Sequence, residues 1–378
     1  MKRITAVILI IAAFAALLSG CAAESEKTEA FDSLKLTGSM ETDYARQFSI
    51  DYYEGGYKLI TLGDGSRYLI VPEGRELPSG LPEDISPLYQ PINRIYLAAT
   101  AAMCLFDALD SLDAIRLSGT KEDGWYIKNA REAMADGRII YAGKYSEPDY
   151  ELLLSEGCPL AVESLMIDHA ADVKDKLSEL GITVFTDQSS LEEHPLGRTE
   201  WIKVYAAMLD REERAFEVFD AQKEYFKKAE SGEKTGETVA FFYISSSGSA
   251  VVRKSGDYIS KMIELAGGEY VFRDMGDPDT KTSTLTVEME TFFAAAKDAD
   301  YIIYNSAIDG EMSSMAELID KSALLGEFKA VKDGNVWCTN KNMYQETTRL
   351  GEMTESFRMI FSGEADSLDR VPFLYRLK

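Results

Sequence analysis

Few residues of this 378-residue chain have the type and spacing that covalent chemistry needs. The histidines number two, His169 and His194. Imidazole is the preferred neutral ligand of zinc and its neighbours, so two scattered histidines argue against a site for a bare metal ion. Cys104, Cys158 and Cys338 stand singly beside apolar residues, without metal-ligand spacing, and read as buried thiols rather than a disulfide framework. The run Ser245-Ser246-Ser247-Gly248-Ser249 offers hydroxyls but has no recognisable histidine base. No GxSxG elbow, HExxH pair or GxxxxGK[ST] loop occurs. The chemistry that remains is recognition. Trp125, Tyr126, Tyr145 and Tyr344 offer broad apolar faces, and Lys144 and Arg253 offer positive charge. Together these suit a sizeable anionic ligand.

The elements that must position these residues alternate. Phe48–Tyr53, Tyr57–Thr61 and Arg67–Val71 are rich in β-formers and punctuated by glycine turns, which predicts a small meander; residues 73–89 read as irregular. Short apolar strands then alternate with helical patterns from residue 94 to 185 and again from 238 to the end. That alternation predicts βαβ units and mainly parallel sheets. Between the halves, apolar positions recur at helical spacing over residues 211–230, behind a predicted capping box at Asp210–Glu213. The expected organisation is an N-terminal α/β lobe at 45–210, an inter-lobe helix at 211–230 and a C-terminal α/β lobe at 231–378. A faint internal echo pairs the helix-then-strand run 150–162 with 288–303.

Ligands in doubly wound sheets bind beyond the carboxyl ends of the strands. That rule nominates Thr100, Trp125, Tyr126, Lys144, Tyr145, Glu163 and Ser164 from the first lobe. From the second it nominates Ser245, Ser246, Arg253, Asn305, Asn340 and Tyr344.

The first residues predict export. Lys2 and Arg3 precede an apolar run of 15 residues, Ile4–Leu18, shorter than a membrane span needs. Leu18-Ser19-Gly20-Cys21 resembles the bacterial lipobox, which implies a signal peptide at 1–20, lipidation of Cys21 and an extracytoplasmic, membrane-anchored chain. The polar stretch 21–44 is expected to be a flexible tether. Without Lys2 and Arg3, 64 acidic side chains face 38 basic ones, a surface that phosphate backbones repel.

The run Glu193-His194-Pro195-Leu196-Gly197-Arg198-Thr199-Glu200-Trp201-Ile202-Lys203 resembles the HPLGRxEWIK segment of iron-complex solute-binding proteins, the class III periplasmic binding proteins. Gly267-Gly268-Glu269 is similar to that family's LAGGE turn, although its Pro-Asp strand signature is absent. The resemblance implies two Rossmann-like lobes joined by one long α-helix, a ligand cleft between them and only small closure. It implies a monomer without an enzymatic cofactor. Such a protein delivers a metal chelate to an ABC permease driven by a cytoplasmic ATPase: a ferric siderophore first, haem or cobalamin next. Tyr145, His194 and Met343 are the side chains available as axial ligands for a haem. The resemblance also implies one acidic docking residue per lobe, assigned to Asp168 and Glu311. Arg198 and Glu200 could equally form a structural ion pair, and His194 a loop or a cleft residue. A lipid-anchored α/β enzyme and a non-transport sensor lipoprotein are the alternatives.

Overall fold

Short β-branched and aromatic runs cannot bury themselves alone; in the computed structural model, which describes residues 30–232, 234–276 and 283–378, they assemble into three main sheets. The first is an N-terminal sheet in chain order: β1 (Leu36–Ser39), β2 (Phe48–Tyr53), β3 (Lys58–Leu62), β4 (Arg67–Val71) and β5 (Ile85–Tyr89). β1 to β4 pair antiparallel, whereas β5 lies parallel to β4. The described part of the expected tether therefore belongs to the fold: β1 hydrogen-bonds to β2. Its four residues are all exposed, so no apolar alternation marks it as a strand. The stretch expected to be irregular likewise supplies β5.

The second sheet builds the N-terminal lobe from β6 (Ile95–Leu97), β7 (Ile115–Ser118), β8 (Ile140–Tyr141), β11 (Leu160–Ser164) and β12 (Thr183–Asp187). All are parallel, in the order β12-β11-β6-β7-β8. The strand order reverses between β6 and β11, the crevice where such sheets hold ligands. A separate hairpin, β9 (Gly143–Lys144) with β10 (Glu147–Pro148), stands beside it.

The third sheet is mixed rather than mainly parallel. β13 (Thr238–Ile244), β17 (Tyr301–Tyr304) and β18 (Val336–Thr339) form its parallel centre, with β15 (Glu269–Tyr270) along β13. β14 (Ala250–Arg253) and β16 (Thr284–Val287) add antiparallel on one side, and β19 (Arg370–Val371) and β20 (Leu374–Arg376) on the other. Gly268 closes the turn into β15, where an added Cβ would lie 2.9 Å from the Phe361 ring. That contact leaves room for glycine alone.

The halves of the echo both form: helix Tyr150–Ser155 leads into β11, and helix Met289–Ala296 into β17. Between the lobes runs the helix Glu212–Glu230, which buries Ala215, Phe219, Phe226 and Ala229. The predicted capping box does not form. Asp210 is left-handed at φ 54°, and its carboxylate accepts from Lys58 Nζ at 2.6 Å instead. One continuous core runs from Phe48 and Ile60 of the first sheet through Leu97, Val162, Trp201 and Tyr205 to Phe241 and Ile302.

Candidate functional site

The motif of residues 193–203 builds the lobe junction, and its polar groups work on the chain's own backbone. Glu200 is fully buried. Its carboxylate accepts from the N–H groups of Asp43, Tyr44 and Ala45 at 2.7–2.8 Å and from Lys203 Nζ at 2.7 Å. Glu192 accepts from the N–H groups of Arg46 and Gln47 and from Trp201 Nε1. Two carboxylates thus hold the strap 43–47, which joins β1 to β2, across the junction. The possible Arg198–Glu200 ion pair is absent, because Glu200 is already bonded to Lys203. His194 is structural: its Nδ1 accepts from the Leu196 N–H at 3.1 Å at the start of helix Pro195–Glu200, and its ring stacks on Tyr44 at 4.5 Å. Burial, with Lys261 nearby, depresses its pKa to about 4, so it stays neutral at physiological pH.

Arg198 faces the other lobe. Its guanidinium donates to the carbonyls of Glu192 and Ser190 and lies 3.8 Å from the centre of the Tyr258 ring. Cation–π contact and burial coexist there, and burial pulls its pKa below the usual arginine value. In the second lobe, Arg253 at the end of β14 is buried, donates to the Tyr344 hydroxyl and lies 3.6 Å from Asp257. Burial opposes its charge, but Tyr344 and Asp257 together hold its pKa above the ordinary value. Asn305, beyond β17, donates from Nδ2 to the same Tyr344 hydroxyl at 2.8 Å. Asp257 Oδ2, with the Arg253 guanidinium 3.6 Å away, and Asn305 Oδ1 are buried without a hydrogen-bond partner among the described residues. Buried acceptors left open in this way are unusual in a native fold.

The structure therefore brings Arg253, Asn305 and Tyr344 together. Asn340 starts the 3-10 turn Lys341–Gln345 that carries Tyr344, and the turn Thr100–Ala102, led by the exposed Thr100, packs against it from the first lobe. Trp125 does not line a cleft: it is fully buried, and its indole N–H bonds to Ser118 Oγ and the Thr120 carbonyl. Tyr126 is exposed beside it. Lys144 is exposed on its hairpin, 3.9 Å from Glu147, and Tyr145 is partly buried in the same turn. Ser245 and Ser246 form the turn between β13 and β14, where Ser245 Oγ bonds within the turn to Ser247 and Ser249. Met343, the remaining sulfur considered for haem, is buried.

Glu163, at the end of β11 beside the order reversal, is fully buried and neither carboxylate oxygen has a protein partner. Burial raises its pKa to about 8. Asp168 is exposed in the turn after β11, and Glu311 is exposed after β17, 3.4 Å from Lys341. Cys104, Cys158 and Cys338 are free and buried. Cys21 lies outside the described residues. Sequence reasoning missed the stacking of Arg198 on the Tyr258 ring of the second lobe and Gln345 as a bridge between the lobes.

The family model described as "Periplasmic binding protein" matches residues 118–342. The chain belongs to the periplasmic binding protein family. An uncharacterized lipoprotein of Methanocaldococcus jannaschii is 27% identical over 386 residues, spanning 91% of this chain and 89% of the relative. A periplasmic haem-binding protein from Pseudomonas aeruginosa superposes with a TM-score of 0.57 at 15% identity, covering 76% of this chain and 98% of that one. An ABC-type Fe3+-hydroxamate transport protein from Saccharomonospora viridis gives 0.56 at 17% identity, covering 71% and 92%. These likenesses show the fold, the class III form with two α/β lobes. This periplasmic binding protein is longer than these neighbours, and its family match begins at Ser118, the end of β7. Among the described residues no helix is long and apolar enough to cross a membrane.

Proposed function

We propose that this periplasmic binding protein is a lipid-anchored, extracytoplasmic receptor that captures an iron complex and passes it to an ABC permease. A ferric siderophore is the first choice of ligand, haem or cobalamin the next. The observation that carries the reading is the polar cluster between the lobes: Arg198 and Arg253 supply charge, Tyr258 and Tyr344 supply faces, at the strand ends where this architecture holds ligands. Native mass spectrometry and thermal-shift screening against ferric siderophores, haem and cobalamins test it. A true ligand at 100 times its Kd stabilises the fold by about 2.7 kcal/mol, and Arg253→Ala lowers its affinity at least about tenfold. A panel in which none of the three classes binds sinks the reading.

In this reading the lobes dock through Asp168 and Glu311, and Cys21 carries the anchor. Exposed rim charges govern encounter more than affinity. Cells carrying Asp168→Lys with Glu311→Lys therefore lose uptake while the protein stays in the membrane fraction and binds ligand within a few-fold. Cys21→Ser releases the protein from the membrane fraction with its fold intact. Loss of ligand binding in the charge-reversed protein would place those residues in the cleft instead, and membrane retention of the serine variant would remove the anchor.

A further inference from the structure

The turn Lys341–Gln345 presents two consecutive side chains to opposite lobes. Tyr344 faces the second lobe, where its hydroxyl meets Arg253 and Asn305. Gln345 faces the first lobe and uses both ends of its amide there. Its Oε1 accepts from the Tyr126 N–H at 2.8 Å, and its Nε2 donates to the Gly124 carbonyl at 2.8 Å. Tyr126 and Gly124 stand 219 and 221 residues from Gln345 in the chain. The Gln345 side chain is nearly buried, with 8% of the residue exposed, so these bonds are sheltered from competition with water. Trp125 stands between the two clasped peptides and is fully buried, which keeps the first-lobe end of the clasp rigid. Just beyond the turn, Thr199 Oγ1 donates to the Thr347 carbonyl at 2.9 Å, which ties the junction motif to the chain that follows Gln345.

We infer that Gln345 is a positioning residue for the cleft: it latches the Gly124–Tyr126 rim of the first lobe to the turn that carries Tyr344. Because Tyr344 and Gln345 are adjacent on one hydrogen-bonded turn, a displacement of the Tyr344 hydroxyl from Arg253 and Asn305 is transmitted to the Tyr126 peptide. The latch makes the first-lobe rim sensitive to what happens in the second-lobe cluster, with no hinge motion of the long helix. This rests on the reading that the Arg253–Tyr344 cluster faces the ligand. The side chain at 345 fits the role because an amide alone supplies an acceptor and a donor about 2 Å apart on one planar group.

The test needs no ligand. Amide hydrogen exchange is followed residue by residue in the full chain, with a 5-fluorotryptophan label reporting Trp125. In the native protein the side chain of Gln345 holds the Tyr126 N–H. Gln345→Ala accelerates exchange at Tyr126 by at least about tenfold and shifts the Trp125 fluorine resonance, while amides of helix Glu212–Glu230 keep their rates. Gln345→Glu keeps the acceptor and loses the donor, so Tyr126 exchanges within about threefold of native. Gln345→Met keeps the bulk and loses both polar ends, so it accelerates Tyr126 as alanine does and decides the matter should the alanine variant loosen the whole fold. Tyr344→Phe, which removes only the hydroxyl, accelerates Tyr126 by at least about threefold. An unchanged Tyr126 rate in Gln345→Ala, or in Gln345→Met where the alanine variant loosens the fold, overturns the latch. A changed rate in Gln345→Ala with no change in Tyr344→Phe overturns the coupling. Failure of every chelate to bind leaves these exchange rates untouched and sinks the proposed function alone.

Discussion

Two buried glutamates, each with no measurable exposure, occupy opposite electrostatic situations in this protein. Glu200 at the junction meets three backbone N–H groups and the Lys203 ammonium. Glu163 in the first lobe meets no protein partner at all. Desolvating a carboxylate costs several kcal/mol, and only hydrogen bonds and opposite charge offset that cost. Glu200 has that compensation in hydrogen bonds and the Lys203 ammonium, whereas burial alone pushes the Glu163 carboxyl up to about 8. The contrast separates a group fixed by the fold from one whose environment the fold leaves incomplete. Three of the groups left without a hydrogen bond, Glu163, Asp257 and Asn305, lie at or just beyond strand ends, where a binding protein meets its solute.

The comparison breaks most visibly at Glu200. Glu200→Gln leaves the Lys203 ammonium buried without its counter-charge and weakens the hold on Asp43–Ala45. A loss of about 3–5 kcal/mol in urea unfolding is expected. A loss below about 1 kcal/mol would mean that strap and junction are independent.

Glu163 should respond to pH instead. Its carboxyl has an ordinary value of 4.5 and titrates near 8 in the folded protein. Below pH 4.5 both states hold the proton and the group contributes no difference. Between 4.5 and 8 the unfolded chain ionises while the folded one does not, so stability falls as pH rises, by up to about 1.4 kcal/mol per unit. Above 8 the deficit is constant. Glu163→Gln removes this slope, so its advantage over the native protein grows from pH 5 to pH 7.5. Parallel stability curves for the two proteins would show that Glu163 is as well partnered as Glu200.

Much of the architecture could be read from the chain. β6, β11, β13 and β17 are short apolar runs flanked by helical patterns, and each formed where the pattern placed it. β14 and β16 escaped because strands of four residues beside polar turns carry little periodicity, so the mixed character of the third sheet was hidden. β1 escaped because an edge strand with every residue exposed has no apolar alternation to show. The capping signal at Asp210 failed for a tertiary reason: Lys58, 152 residues away, claims its carboxylate. At the site, Arg253 and Tyr344 were legible as residue types at strand ends. Trp125 was misjudged because a buried indole and a cleft indole have the same letter and the same neighbours in sequence. Gln345 gave no signal, since an amide that clasps backbone over 200 residues away obeys no spacing rule.

The strap held by Glu192 and Glu200 has a mechanical consequence. Tension applied ahead of Ala30 enters beside Ser79, where the two residues form a parallel bridge. It then runs along β1, which is bonded antiparallel to β2. What passes β1 reaches Asp43–Gln47, where two carboxylates grip five successive backbone N–H groups. Drag on the preceding chain is thereby grounded at the lobe junction, on Glu192 and the helix Pro195–Glu200.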